Sequence, residues 1–139
     1  MSTAQVHSTA ILEGEVQLGE GCRIGPFCVL RGPITVGAGT HLMGNVYLQG
    51  PLTIGERNTI YPFVTLGFAP QDLKWDPAVP GAGLVIGSGN TFREAVTIHR
   101  ATSHETPTRM GDNNYWMANS HVGHDCQVGN NCIVANNTA

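Results

Sequence analysis

Aliphatic side chains recur at every sixth residue without a miss from Val6 to Leu66: Val6, Leu12, Leu18, Ile24, Leu30, Val36, Leu42, Leu48, Ile54, Ile60 and Leu66. An amphipathic helix repeats at about 3.6 residues and a half-buried strand at about 2, so neither accounts for this period. A strict hexad is the pattern of a parallel β-helix, in which each hexad supplies one strand and three hexads close a triangular coil. The beat resumes at Ile86, Phe92 and Ile98, and again at Met110, Trp116, Val122, Val128 and Val134. With about 4.8 Å of rise per layer, these anchors predict about six coils in a prism roughly 30 Å long.

A second position supports the same reading. Four residues after an anchor the chain carries small or medium side chains, such as Ala10, Val16, Thr40, Val46, Val64, Val96 and Ser120, suited to a narrow interior. Glycine often follows the anchor directly, as at Gly19, Gly25, Gly37, Gly55, Gly87, Gly111 and Gly129, and is expected to allow tight corners with positive φ. Cys22, Cys28, Cys126 and Cys132 all occupy the small interior position. Their spacing lacks the C-x2-4-C pattern of zinc sites, so buried free thiols in a reducing compartment are expected instead of a metal or disulfides.

The 139 residues suffice for one domain, 1–139, stabilised by stacking neighbouring coils. Only 12% of residues are charged and the net charge is −3, which leaves flat faces for subunit contact and no basic stripe for nucleic acid. No segment approaches the roughly 20 apolar residues of a membrane span. The N-terminus lacks the charged and apolar regions of a signal peptide, so a cytoplasmic location is expected.

The beat breaks twice, over about 67–85 and 99–109, and both breaks read as excursions from the helix. Counting faces in threes puts the hexads of Leu66, Ile98 and Val122 on one side, in successive coils, so both excursions leave from corresponding corners. The same count brings His99 beneath Gly123, between His121 and His124, while His7, His41 and His104 fall elsewhere. Imidazole suits proton transfer near neutral pH, which makes this cluster the sharpest chemical signal in the chain. Asp125 follows His124, but adjacent strand residues point to opposite faces, so contact between them requires the corner to turn Asp125 back. Arg93, Arg100 and Arg109 are expected to flank the histidine face as solvated side chains, with contacts to phosphate or an acidic partner as the alternative, and Trp116, Phe92 and Met110 to fill the core.

The segments IGPFC at 24–28, QDLK at 71–74, VTIHR at 96–100 and HVGHDC at 121–126, in this order, resemble the N-terminal part of the UDP-N-acetylglucosamine acyltransferase family of lipid A biosynthesis. The resemblance covers essentially the whole chain and implies a left-handed parallel β-helix. It implies transfer of a 3-hydroxyacyl group from acyl carrier protein to the 3-hydroxyl of UDP-N-acetylglucosamine, with no cofactor or metal, by a homotrimer with sites between subunits. Matched position by position, His124 takes the role of general base and Asp125 that of its neighbouring acid. Gln71, Asp72, Lys74, His99 and His121 match positions that contact sugar, phosphate or acyl chain. The family continues beyond the position of Ala139 with further coils, an oxyanion-binding glycine and a C-terminal helical domain. The expectation for this chain alone is therefore weak or absent activity and an uncapped last coil.

Two other readings remain open at this stage. One is a metal-dependent hydratase resembling the γ-class carbonic anhydrases, for which three imidazoles would suit zinc but the H-x2-H spacing fits poorly. The other is a structural solenoid without catalysis.

Overall fold

The computed structural model describes residues 3–139 and consists of short parallel strands wound into three sheets, which form the faces of a triangular prism. The first face stacks strands Gln5–Val6, Arg23–Ile24, His41–Leu42, Thr59–Ile60, Thr91–Phe92, Tyr115–Trp116 and Ile133–Val134. The second stacks Ile11–Glu13, Val29–Arg31, Tyr47–Gln49, Thr65–Phe68, Thr97–His99 and His121–Val122. The third stacks Val16–Leu18, Ile34–Val36, Leu52–Ile54, Leu84–Ile86, Thr108–Met110 and Gln127–Val128. No helix long and apolar enough to cross a membrane occurs among the described residues.

The hexad anchors stack in register. Leu48 pairs with Leu66, Leu66 with Ile98, and Ile98 with Val122, so the three hexads grouped by counting do share one face. From Ile24 to Trp116 every anchor is at most 2% exposed. Phe92 and Trp116 lie stacked in adjacent layers with ring centroids 6.1 Å apart. Val6 and Leu12, in the first coil, are exposed, because no strand covers them from below.

Two expectations about the corners need correction. Of the glycines that follow an anchor, Gly67 has a positive φ of 88°, but Gly19, Gly25, Gly37, Gly55, Gly87, Gly111 and Gly129 do not; elsewhere that conformation falls two residues later, at Gly21, Gly39, Gly89, Phe27, Asn45, Arg57, Phe63, Ala95, Asn113, Asn119, Asp125, Asn131 and Asn137. What demands glycine after the anchor is close approach between coils. A Cβ on Gly37 would lie 2.5 Å from the carbonyl carbon and oxygen of Gly55 in the next coil. The four cysteines are indeed free, and Cys22 and Cys28 are buried, but Cys126 is exposed and Cys132 half-exposed. Both of these belong to the last coil, whose strands are sheet edges with nothing stacked over the interior position.

At the third corner, where the chain passes from the third face to the first, the small interior position carries asparagine. Asn58, Asn90 and Asn114 are at most 2% exposed and bond in series. Each amide donates to a glycine carbonyl of the next coil, Gly87, Gly111 and Gly129 in turn, at 2.9–3.0 Å. Each side-chain carbonyl accepts the backbone N–H of the residue above, Asn90, Asn114 and Cys132 in turn. Thr40 begins the ladder by donating to the Gly55 carbonyl and accepting from the Asn58 N–H. These polar groups are buried at little penalty because each finds a partner.

Candidate active site

The second corner, between the second and third faces, is where the prism departs from regularity. In the lower coils it is turned by Gly32–Pro33 and Gly50–Pro51. In the next two coils it opens into excursions, residues 69–83 between Phe68 and Leu84, and residues 100–107 between His99 and Thr108. In the coil above, the same corner carries His124 and Asp125.

The strand register brings the three histidines together. His121 pairs with Thr97 in the layer below, and Thr97 Oγ1 lies 2.7 Å from His121 Nδ1. His99, two residues along that lower strand, places its ring edge-on to His121 with centroids 4.7 Å apart. Burial, reinforced by the charge that His121 and His124 would carry, holds the His99 imidazole below its ordinary value. Its Nδ1 is buried and has no hydrogen-bond partner among the described residues.

Asp125 is turned back onto His124 by its positive φ of 64°. His124 Nδ1 donates to Asp125 Oδ2 at 2.6 Å, and both side chains are about one-third exposed. Burial works against ionisation of Asp125, but hydrogen bonds from Thr102, Ser103 and His124 outweigh it and hold the carboxyl well below the usual range. The pair therefore presents an ionised carboxylate on one ring nitrogen and leaves Nε2 as the group open to chemistry.

The QDLK segment lies on the first excursion. Asp72 Oδ1 accepts the Lys74 backbone N–H at 3.0 Å, forming a tight turn that leaves Leu73 fully exposed. Asp72, Lys74 and Trp75 join Thr102 and His104 of the second excursion around a cleft of about 270 Å³. Gln71 is exposed and does not line it, and its walls include none of the three clustered histidines. Within one chain, then, the expected site residues form two groups, linked through the second excursion. His104, expected to be a plain loop residue, is part of the cleft wall.

Arg93 and Arg100 depart from expectation, whereas Arg109 is solvated as expected. Arg93 lies at the end of a first-face strand, against Glu94, Tyr115 and Tyr61, and not on the histidine face. Arg109 is exposed on the third face, paired with Gln127. Arg100 is 8% exposed, donates to the carbonyls of Gly50 and Gly67, and sits 4.9 Å from the Trp75 ring. It pins the first excursion to the coil below. Nothing in the hexads signals this role, since Arg100 lies outside the repeat. Among the described residues no group of three or more His, Cys, Asp or Glu has the geometry to hold a metal ion.

The bacterial transferase hexapeptide (six repeats) family matches residues 107–139. The acyl-[acyl-carrier-protein]–UDP-N-acetylglucosamine O-acyltransferase of Trichlorobacter lovleyi is 54% identical over 132 residues, covering 94% of this chain and 50% of the relative. The protein of the same name from Thermodesulfovibrio yellowstonii is 42% identical over 135 residues, covering 95% and 51%. Among solved structures, the UDP-N-acetylglucosamine acyltransferase of Bacteroides fragilis superposes with a TM-score of 0.90 at 35% identity, covering 96% of this chain and 51% of that one. The architecture is the parallel β-helix expected from the hexads, left-handed as the family resemblance implies. The chain spans about half the length of the curated relatives it matches.

Proposed function

The chain is related along nearly its whole length to the UDP-N-acetylglucosamine O-acyltransferases, and on that premise we propose that the protein transfers a 3-hydroxyacyl group from acyl carrier protein to the 3-hydroxyl of UDP-N-acetylglucosamine. This is the first step of lipid A biosynthesis and would take place in the cytoplasm. Residues 1–139 serve in it as a single β-helix domain. The reaction uses no cofactor, acyl carrier protein being a co-substrate.

The observation that carries this reading is the His124–Asp125 pair, set at the corner from which both excursions leave one and two coils below. His124 Nε2 removes the proton of the sugar 3-hydroxyl as its oxygen attacks the thioester carbonyl. The tetrahedral intermediate then expels the carrier thiolate, which takes up the proton: a C–O bond forms and a C–S bond breaks. A positioned base contributes about 10²- to 10⁴-fold to such a step. Asp125 holds the ring in the tautomer that leaves Nε2 unprotonated.

His121, braced by Thr97, and His99 beneath it line the approach to the base. Gln71, Asp72 and Lys74 offer an amide, an acceptor for sugar hydroxyls and a cation for phosphate. Because the cleft of Asp72 and Lys74 is walled without a clustered histidine, a homotrimer that brings the cleft of one copy against the histidines of the next suits the geometry. Phe27 and Phe63, 62% and 64% exposed at the first corner of two coils separated by that of Asn45, supply apolar surface for such contacts.

The test is incubation of the protein in its natural length with 3-hydroxyacyl carrier protein and UDP-N-acetylglucosamine, with mass spectrometry of the nucleotide product. A 3-O-acylated sugar nucleotide that disappears in His124→Ala supports the assignment. Absence of that product, or full turnover in His124→Ala, would overturn it.

A further inference from the structure

The second excursion reaches directly into the His124–Asp125 pair. Thr102 directs its Oγ1 and its backbone N–H to Asp125 Oδ2, at 2.5 and 3.1 Å. Ser103 directs its backbone N–H to Oδ1 at 3.0 Å. The oxygen that receives the Thr102 hydroxyl is the one that accepts from His124 Nδ1. On its own main chain, Asp125 N–H donates to the buried hydroxyl of Thr108 at 2.8 Å. The carboxylate is thus gripped at both oxygens by a loop that belongs to the coil below.

A carboxylate torsion is broad and roughly two-fold, so a single partner leaves the group free to rock. Donors fixed in a loop frame on both oxygens remove that freedom. Thr102 also lines the cleft that holds Asp72 and Lys74, so one residue touches both halves of the divided site.

We propose that Thr102 is a positioning residue: its hydroxyl and amide orient Asp125 so that His124 keeps its proton on Nδ1 and presents a bare Nε2. The catalytic meaning of this rests on the reading of His124 as the base, but the arrangement itself does not. A ring nitrogen misplaced or protonated at the wrong position loses general-base competence even when every side chain is present.

The experiment is nitrogen-15 NMR of the imidazoles at neutral pH, which reports which ring nitrogen carries the proton. In the unmodified chain His124 should be a single Nδ1–H tautomer. Thr102→Val should convert it to a mixture with the Nε2–H form, and Thr102→Ser should restore the original spectrum. Thr102→Ala provides the same comparison should the valine variant not fold. In kinetics, Thr102→Val should lower kcat by about tenfold, a fraction of the 10²- to 10⁴-fold a general base contributes, with KM for the sugar nucleotide nearly unchanged and Thr102→Ser close to the parent. A single Nδ1–H tautomer persisting in Thr102→Val or Thr102→Ala would overturn the proposal, whether or not acyl transfer is detected. Loss of tautomer order in a protein that transfers no acyl group would uphold the positioning role and remove instead the reading of His124 as the base.

Discussion

His124 and Asp125 are consecutive in the chain, yet Nδ1 of one lies 2.6 Å from Oδ2 of the other. In an extended strand their side chains would point apart. The left-handed backbone of Asp125, φ 64°, folds the carboxylate back. Asp125→Asn preserves the shape and removes the charge that fixes the ring. Turnover should fall by about 10²-fold or more with little change in KM, measured by steady-state kinetics. Undiminished kcat would show that the carboxylate does not act through His124.

His99 makes a pH prediction. Its folded-state imidazole is held below the ordinary value of 6.5, by burial first and then by its histidine neighbours. As pH falls through about 6.5, the unfolded chain takes up this proton before the folded one does, so stability is level above that pH and declines below it. The decline continues until the pH reaches the folded-state value. In His99→Gln this part of the decline should vanish, so thermal melts from pH 7.5 to 5.5 should fall less steeply than in the parent. Parallel melting curves would contradict the assignment.

Asn90 satisfies three partners at once: it donates to the Gly111 carbonyl, accepts from the Asn114 N–H, and its own N–H meets Asn58. Asn90→Ala leaves a buried carbonyl and a buried N–H without partners. At about 1–3 kcal/mol each, the loss should reach roughly 2–6 kcal/mol in urea unfolding. A cost well under 1 kcal/mol would show that the site admits a replacement partner.

Two glycines two residues apart should respond oppositely. Gly37→Ala drives a Cβ to 2.5 Å from Gly55 backbone and should cost about 1–3 kcal/mol or more. Gly39, at φ +70° where a Cβ would meet only the Arg57 side chain, at an ordinary contact of 3.5 Å, should tolerate asparagine with little change, because asparagine accepts that conformation and already occupies the matching place at Asn45 and Asn113. Equal melting temperatures for the two variants would refute the distinction.

The architecture was legible because one physical requirement, an apolar side chain pointing into a narrow prism once per face, repeats without exception from Val6 to Leu66. Counting through the breaks then placed Leu66, Ile98 and Val122 on one face, and with them His99, His121 and His124. The roles of Arg100, Trp75, Thr102 and Ser103 were not legible, since excursion residues obey no period and their contacts are made across 22 or more residues of sequence. The glycines misled in a specific way. The pattern marks where the backbone must be bare, but whether dihedral or proximity demands it depends on the coil above. The cysteines followed the same logic: position 4 of the hexad is interior only where another coil lies over it, which holds for Cys22 and fails for Cys126.

A hexad repeat is degenerate, because any hexad packs as well on one face as on another. Slippage by six residues would keep every aliphatic side chain inside while moving His124 to a different side of the prism. The asparagine series resists this. Its members are 32 and then 24 residues apart where a plain coil needs 18, so they meet only when both excursions are looped out at the second corner. The ladder thus works as an index mark on an otherwise uniform screw: it tells each turn of chain which face is which, and so decides that the histidines share one.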